Sequence, residues 1–359
     1  MHDSPSLADA HRLSRTPDAA ATFAEHEDFK ALLLAGAAHL EIHEVAEVHT
    51  AGPSFPVYTA SIGSRDPHAP AVGFFGGIHG LERIGSQLIL HYLRALLFRL
   101  AWDTLLLQQL QKIRLVFMPI VNPGGMWAQQ RANPRGVDLM RNAPHRAERP
   151  VPFLAGGQTW SPWLPWYCGR PGAPLETESA ALLQVVREQL ACRPFSLALD
   201  CHSGYGFSDS LWFPYAKTRR LMPHLPEMWL LKTMLMQSHP HHDYRFEPQS
   251  KQYLLHGDLW DHAYEHTPAG HVFLPMTLEL GSWLWIRKNP RQLLSKHGIF
   301  NPIKAHRTQR VLRRHADLLD FLTRVAFAAP GWLPQAEQRE RLLQQATAHW
   351  RPERPVRSA

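Results

Sequence analysis

Residues 71–100 read AVGFFGGIHGLERIGSQLILHYLRALLFRL, with a strand-like run, a glycine break and a helix-like run in direct succession. The continuous apolar run at the start is typical of a buried strand, and the glycines end it. Beyond the break, apolar residues recur at helical spacing: Ile84, Leu88, Tyr92 and Leu96. A buried strand followed by a helix predicts one unit of a parallel sheet. The break holds His79 and Glu82, with His79 in the loop beyond the carboxyl end of the strand.

Strands and helices alternate along the rest of the chain. Strands are predicted at 55–63, 114–123, 195–204 and 271–281, and helices at 23–40, 175–190 and about 301–327. Most of these strands are apolar throughout, which is typical of strands covered on both faces. We therefore expect an α/β fold with three αβα layers around a mixed, mostly parallel central sheet. Functional sites in such folds lie beyond the carboxyl ends of the strands.

The chain is expected to form one catalytic domain with irregular ends. Residues 1–22 are polar and are predicted to be a disordered lead-in, residues 23–330 form the domain, and residues 331–359 form a basic C-terminal tail or helix. Two long stretches, 143–174 and 213–256, show little regular pattern. Loops of this length usually form the lid or rim of a site.

Composition and charge argue against several classes of protein. No apolar stretch approaches the roughly 18–20 residues that span a bilayer, and no signal pattern opens the chain. Three cysteines are too few for a disulfide framework, so we expect a cytoplasmic protein. The net charge of +7 lies largely in C-terminal segments without a nucleic-acid recognition motif. A solvated basic face is therefore favoured over nucleic-acid binding, and the oligomeric state is left open.

Four residues, three of them beyond the carboxyl ends of predicted strands, form a set that suits zinc-dependent hydrolysis. His79 and Glu82 are followed by His202 in LALDCHSG and by Glu279 in MTLELGS. Two imidazole nitrogens and one carboxylate supply three corners of a zinc tetrahedron and leave the fourth for water. A further glutamate near that water acts as its general base. The H-x-x-E pair alone is a weak signal, because a chain with 23 histidines contains one nearly by chance.

Further motifs follow in a fixed order and make the pattern more specific. After the H-x-x-E pair come NPGGM at 122–126, GVDLMRN at 136–142, DCHS at 200–203, YLLHGDLWDHAY at 253–264 and TLELG at 277–281. This series resembles that of the metallocarboxypeptidases, the carboxypeptidase A-like zinc peptidases, over about residues 55–325. The resemblance implies the zinc carboxypeptidase fold and one Zn²⁺ per chain, with His79, Glu82 and His202 as metal ligands.

The resemblance also implies how the metal ligands and the water are controlled. Glu279 would be the general base that takes a proton from water and returns it to the leaving amine. Asp138 would accept the second ring N–H of His79, which fixes the tautomer of that ligand. Asp200 is another candidate for such a role, because strand alternation places it on the same face as His202.

Three further residues are expected to contact the substrate. Arg131 would polarise the scissile carbonyl and stabilise the oxyanion, with Arg135 as a rival for that role. Arg141 would bind the free carboxylate of the substrate, since a guanidinium group suits a carboxylate bidentately. Tyr253 matches a mobile tyrosine that closes over the substrate, although an ordinary rim aromatic is an equally good interpretation.

The chain departs from the family pattern in the segments that contact substrate. The usual D-x-N-R motif reads DLMR, so Met140 replaces an asparagine that helps to hold the terminal carboxylate. A thioether cannot donate a hydrogen bond, which puts carboxypeptidase activity in question. Trp260 and His262 lie in the segment that lines the specificity pocket of relatives. A tryptophan there would narrow the pocket.

The favoured hypothesis is a zinc-dependent hydrolase of amide bonds in a peptide or an N-acyl amino acid. The alternative is a catalytically silent peptide-binding module on the same fold. Retention of the whole ligand set and of Glu279 argues against that alternative. A basic nucleic-acid binder is the third hypothesis, and steep salt dependence of oligonucleotide binding would identify it.

Other chemically suggestive residues have simpler explanations. His241, His242 and Asp243 could form a second metal site, but a solvated or hydrogen-bonded cluster is favoured. Cys201 should point away from its neighbour His202 and be a buried packing residue. No G-x-S-x-G motif surrounds a serine, which argues against a serine hydrolase.

Overall fold

The structure, a computed structural model, describes residues 23–351. The predicted lead-in, residues 1–22, and the last part of the predicted tail, 352–359, lie outside the described residues. Eight strands of the described chain form one sheet: β1 (Glu41–His49), β2 (Ser54–Gly63), β3 (Ala71–Gly76), β4 (Arg114–Met118), β5 (Phe195–Ser203), β6 (Ser210–Phe213), β7 (Arg245–Pro248) and β8 (Val272–Leu280).

Helices cover both faces of this sheet. Their bounds are α1 (Ala24–Ala35), α2 (Arg83–Arg99), α3 (Thr104–Leu110), α4 (Pro123–Trp127), α5 (Thr177–Val186), α6 (Leu225–Ser238), α7 (Leu259–Glu265), α8 (Trp283–Lys288), α9 (Ala305–Phe327), α10 (Ala329–Trp332) and α11 (Ala336–Trp350). Within residues 23–351, none of the helices has the length and apolar character needed to cross a bilayer.

The strand order is β1-β2-β4-β3-β5-β8-β6-β7, and the sheet is mixed. Its centre is parallel, because β3 pairs in parallel with β4 and β5, and β5 with β8. Antiparallel pairings of β2 with β1 and β4, and of β6 with β8, extend the sheet on both sides. The expected mixed, mostly parallel αβα architecture is therefore confirmed.

Alternating side chains of the central strands pack into two separate cores. Phe74 belongs to the core on the side of α2 and α9, whereas its neighbour Phe75 belongs to the core on the side of α5 and α7. Both phenylalanines are fully buried. Alternation across a strand that is buried on both faces explains why β3 reads as a continuous apolar run.

The region 213–256 is more regular than its sequence indicated. It contains α6 and β7, and β6 ends at its first residue. Short strands and a weakly amphipathic helix give little periodic signal, so the expectation of a patternless loop was wrong there. Residues 143–174 do consist of turns and irregular backbone, apart from an isolated β-bridge between Gln158 and Tyr167. At the C-terminal end, Trp350 of α11 is buried, and its indole N–H donates to the carbonyl of Phe246 in β7 at 2.9 Å.

Candidate metal centre

The side chains of His79, Glu82 and His202 converge in a buried position at the carboxyl edge of the sheet. Nδ1 of His79 lies 2.9 Å from one carboxylate oxygen of Glu82, and Nδ1 of His202 lies 2.9 Å from the other. The two Nδ1 atoms are 3.2 Å apart. Each histidine thus presents the same ring nitrogen to a common point.

This spacing suits a tetrahedral zinc ion. Bonds of about 2.0–2.1 Å to a tetrahedral ion place neighbouring ligand atoms roughly 3.3 Å apart, close to the separations of these three groups. The donor set of two imidazoles and one carboxylate is also one that zinc takes in catalytic sites. Among residues 23–351, this is the one group of three or more His, Cys, Asp or Glu side chains whose ligand atoms all lie within 4.8 Å of one another. The three residues predicted as ligands therefore fit the metal.

Close backbone packing brings the three ligands together. His79 follows β3, Glu82 precedes the first residue of α2, and His202 lies in the neighbouring strand β5. Gly85 in the first turn of α2 lets that helix approach β5, because a Cβ there would lie 2.1 Å from the carbonyl oxygen of Cys201. Cys201 itself is fully buried in the core, as predicted.

Asp138 holds the far side of the His79 ring within an ionic network. Its Oδ1 lies 3.1 Å from Nε2 of His79, and its Oδ2 accepts from Nε of Arg131 at 3.0 Å. Nη1 of Arg141 lies 3.6 Å from Oδ1. Although burial alone would raise the pKa of Asp138, the two guanidinium groups hold it well below its usual range. The side chain is therefore a carboxylate that accepts the second ring N–H of His79 and fixes its orientation.

Asp200 holds the far side of the His202 ring. Its Oδ2 lies 2.5 Å from Nε2 of His202 and also accepts the indole N–H of Trp260 at 2.9 Å. Burial would lower the pKa of His202, but Asp200 and Glu82 raise it well above its usual value. The surroundings of His202 thus favour positive charge, which either a proton or a metal ion supplies.

Glu279 lies beside the ligand cluster. It is the register partner of His202, because β8 pairs with β5, and its side chain is 8% exposed. The backbone N–H of Tyr205 donates to its Oε1 at 2.9 Å. Burial and the charge of Glu82 raise the pKa of Glu279 to about 8. A cation among the ligands would offset the charge of Glu82 and lower that pKa.

A cleft opens onto the cluster. His79, His202 and Glu279 line its inner end together with Arg131. Nη1 of Arg131 donates to Glu82 at 2.8 Å, in addition to its bond to Asp138. The rival Arg135 is exposed and pairs with Glu176, and it does not line the cleft.

Arg141 and Tyr253 both line the same cleft. The guanidinium group of Arg141 donates through Nε and Nη2 to the carbonyl of Ala155 and is almost fully buried. Burial raises the pKa of Tyr253, while Arg141 beside it acts to lower it. Gly257 lets this segment pack on Arg141, since it has φ +67° and a Cβ there would lie 2.0 Å from the Arg141 carbonyl oxygen.

Of the three residues singled out as departures from the family pattern, two line the cleft and one does not. Met140 and Trp260 both line the cleft and are buried. His262, one turn from the start of α7, packs against His145 and His266 and does not line the cleft. A tryptophan therefore does form part of the pocket wall, as predicted, whereas His262 does not.

The structure adds residues to the site that sequence reasoning missed. Within the cleft wall, Phe213 and Gln249 come from the region 213–256 that was predicted to be a loop, and Trp212 directly precedes it. The contact between Trp260 and Asp200 joins residues 60 positions apart and has no sequence signal. The only hint was the D-x-H spacing of Asp200 and His202. The possible second site at 241–243 does not form a ligand group within the described chain.

Fold and site together define a mixed α/β protein with a buried two-histidine, one-carboxylate cluster and a neighbouring glutamate at the sheet edge. The family model for zinc carboxypeptidases matches residues 37–282. The chain therefore belongs to the zinc carboxypeptidase family, as the order of its motifs predicted.

Individual relatives are distant. Carboxypeptidase SOL1 of Arabidopsis thaliana is 28% identical over 107 residues, which cover 28% of this chain and only 22% of that protein. Thrombin activatable fibrinolysis inhibitor has a similar structure, with a TM-score of 0.62 and 17% identity over 89% of this chain and 80% of the other. For carboxypeptidase A of Helicoverpa armigera, the TM-score is 0.55 at 17% identity, over 80% and 71% of the two chains. These structural likenesses support the fold.

Proposed function

We propose that this chain is a zinc-dependent hydrolase of amide bonds that acts on peptides or N-acyl amino acids. The observation that carries the proposal is the position of Glu279. It is paired in register with the ligand His202, is nearly buried, and lines the cleft without belonging to the ligand group. A carboxylate so placed has the geometry of a general base rather than of a fourth ligand. Zinc held by His79, Glu82 and His202 would lower the pKa of a water molecule and polarise the scissile carbonyl.

Glu279 supplies the proton transfers of the reaction. Its carboxylate accepts a proton from the attacking water, and the same group then protonates the leaving amine. The N–H of Tyr205 fixes Oε1, so that Oε2 is left to exchange the proton. Burial and Glu82 raise the pKa of Glu279, and a cation among the ligands would lower it again, so that with zinc bound the group would be a carboxylate able to take the proton at neutral pH.

Arg131 is placed to stabilise negative charge on the carbonyl oxygen. Its Nε and Nη1 are held by Asp138 and Glu82, which leaves Nη2 for the substrate. A donor that is already fixed by two carboxylates needs little reorganisation in the transition state.

Arg141 is the anchor for an anionic group of the substrate. Its guanidinium group donates to Ala155, lies near Asp138 and contacts Tyr253, and it lines the cleft, where it would meet a substrate carboxylate. The amide that the usual family motif supplies beside this arginine is absent, because Met140 occupies that part of the cleft wall. Gln249 is buried in the same wall and offers an amide whose nitrogen has no hydrogen-bond partner among the described protein residues. We assign it the missing contact with the substrate.

The first test combines a substrate panel with Glu279→Gln. Zinc-loaded protein is assayed on peptides with free and amidated C-termini and on N-acyl amino acids. The variant should keep its zinc, whereas its turnover should fall by about 10²–10⁴-fold because the general base is lost. Glu247→Gln, which changes a partly buried glutamate outside the cleft, is the matched control and should retain full activity.

The outcomes separate the alternatives. Equal hydrolysis of free and amidated termini would contradict the anchoring role of Arg141. Unchanged turnover in Glu279→Gln would contradict the general-base role. Zinc binding with no hydrolysis of any amide would contradict the enzyme and favour the silent peptide-binding module.

A further inference from the structure

Trp260 forms a hydrogen bond with Asp200, the carboxylate behind the candidate ligand His202, and it also lines the cleft. Its indole N–H donates to Oδ2 of Asp200 at 2.9 Å, and the same oxygen lies 2.5 Å from Nε2 of His202. Trp260 also lines the cleft, as do His79 and His202. Trp260 is 2% exposed and Asp200 is fully buried, so water does not compete for either hydrogen bond.

Among residues 23–351, the Trp260 indole is the only side chain besides His202 that forms a hydrogen bond with the Asp200 carboxylate. Within the described chain, Oδ1 of Asp200 is buried without a hydrogen-bond partner, and Oδ2 is shared between His202 and Trp260. Removal of the indole N–H would leave the carboxylate fixed by His202 alone. Rotation of the carboxylate would then turn the imidazole, whose Nδ1 must face the metal.

The indole is itself rigidly placed. α7 begins after Asp258, whose side chain accepts the N–H of Asp261 at 2.8 Å and so caps the helix that carries Trp260. The Trp260 ring also packs edge-on against Phe75 of β3, with ring centroids 5.2 Å apart. Both constraints fix the direction in which the N–H points.

We propose that Trp260 is a positioning residue for the metal centre: its indole N–H orients Asp200 against His202 and so sets metal affinity from the wall of the substrate cleft. This inference rests on the zinc site of the proposed function. It assigns to the pocket wall a role beyond shaping the space for the substrate.

The test compares Trp260→Phe with Trp212→Phe. Trp212 also lines the cleft and is buried, but its indole nitrogen has no hydrogen-bond partner among the described protein residues. Both substitutions therefore remove an indole N–H and similar volume from one cleft, and only the first breaks the contact with Asp200. Zinc affinity is measured by competition with a chromophoric chelator, and ligand geometry by the visible absorption of the cobalt-substituted protein. The melting temperature of each metal-free variant controls for damage to folding.

Trp260→Phe should weaken zinc binding by about 10–100-fold and alter the cobalt spectrum, as loss of such an outer contact does elsewhere. Trp212→Phe should change neither the zinc affinity nor the cobalt spectrum. The two metal-free variants should melt at similar temperatures, which would exclude damage to folding as the cause of the difference. In an Asp200→Ala background, Trp260→Phe should cause no further loss, because the acceptor is already gone.

Equal zinc affinities and cobalt spectra for the two variants would overturn the role of Trp260. Additive losses in the double variant would overturn it too, since they would show that the indole acts by a route other than Asp200. A wild-type protein that binds no zinc would instead overturn the proposed function itself, so the two failures are distinguishable.

Discussion

The two ligand histidines are supported by carboxylates in contrasting surroundings. Asp138, behind His79, shares its charge with Arg131 and lies close to Arg141, and both arginines line the cleft. Asp200, behind His202, is paired instead with the neutral indole of Trp260. Asp138 is part of an ionic network that reaches the cleft, whereas the charge of Asp200 acts mainly on His202.

This difference indicates that Asp138 and Asp200 have different roles at the same site. The charge of Asp138 is largely neutralised by arginines, so its main effect is to fix geometry at His79 and at both arginines. The charge of Asp200 acts on His202 with little compensation, which is why the pKa of His202 is raised well above its usual value. Metal affinity should therefore depend on both carboxylates, whereas substrate chemistry should depend mainly on Asp138.

The largest effect is expected for Asp138→Asn. Its two oxygens accept from His79 and Arg131, and an amide can satisfy only one of these donors. We expect zinc affinity to fall by about 10–100-fold. In addition, kcat/KM of the zinc-saturated variant should fall, because Arg131 is no longer held toward the cleft. Chelator competition and steady-state kinetics at saturating zinc measure the two effects.

Asp243 is exposed and does not line the cleft, so Asp243→Asn is a suitable control. This variant should match the wild type in zinc affinity and in kcat/KM. If Asp138→Asn loses zinc affinity but keeps full kcat/KM once loaded, the link from this carboxylate to the substrate is wrong.

A smaller effect is expected for Asp200→Asn. A single oxygen of Asp200 accepts both hydrogen bonds, so an asparagine oxygen in the same place preserves the geometry and removes only the charge. Zinc affinity should fall by roughly tenfold, at the low end for such contacts. The kcat/KM of the zinc-saturated variant should stay near that of the wild type. A loss of kcat/KM as large as in Asp138→Asn would abolish the contrast between the two supports.

The main features of this site follow from local sequence. Apolar runs that end at glycine or at a histidine predicted β3 and β5, and the shared edge of parallel strands brought His79 near His202. The ordered motifs then pointed to Asp138 and Glu279. His79, His202 and Glu279 each lie at or just beyond a strand end, whereas Asp138 lies in an irregular segment and was reached only through the order of the motifs.

Features that depend on packing between distant segments could not be predicted. β1, β6 and β7 are short or exposed and lack a clear alternation, so they were missed. Arg131 was favoured over Arg135 through the resemblance alone, because both residues lie in an irregular loop whose course the local sequence does not determine. The contact of Trp260 with Asp200 exists only because α7 packs against the sheet beside β8.

The most direct test is the zinc content of the purified protein, measured by elemental analysis after zinc add-back and gel filtration, alongside His202→Ala. The account predicts one zinc per wild-type chain and little or none in the variant, because two of the three ligands do not complete the site. A wild-type protein without zinc, or equal zinc in the wild type and in His202→Ala, would contradict the assignment of His79, Glu82 and His202 as a metal centre.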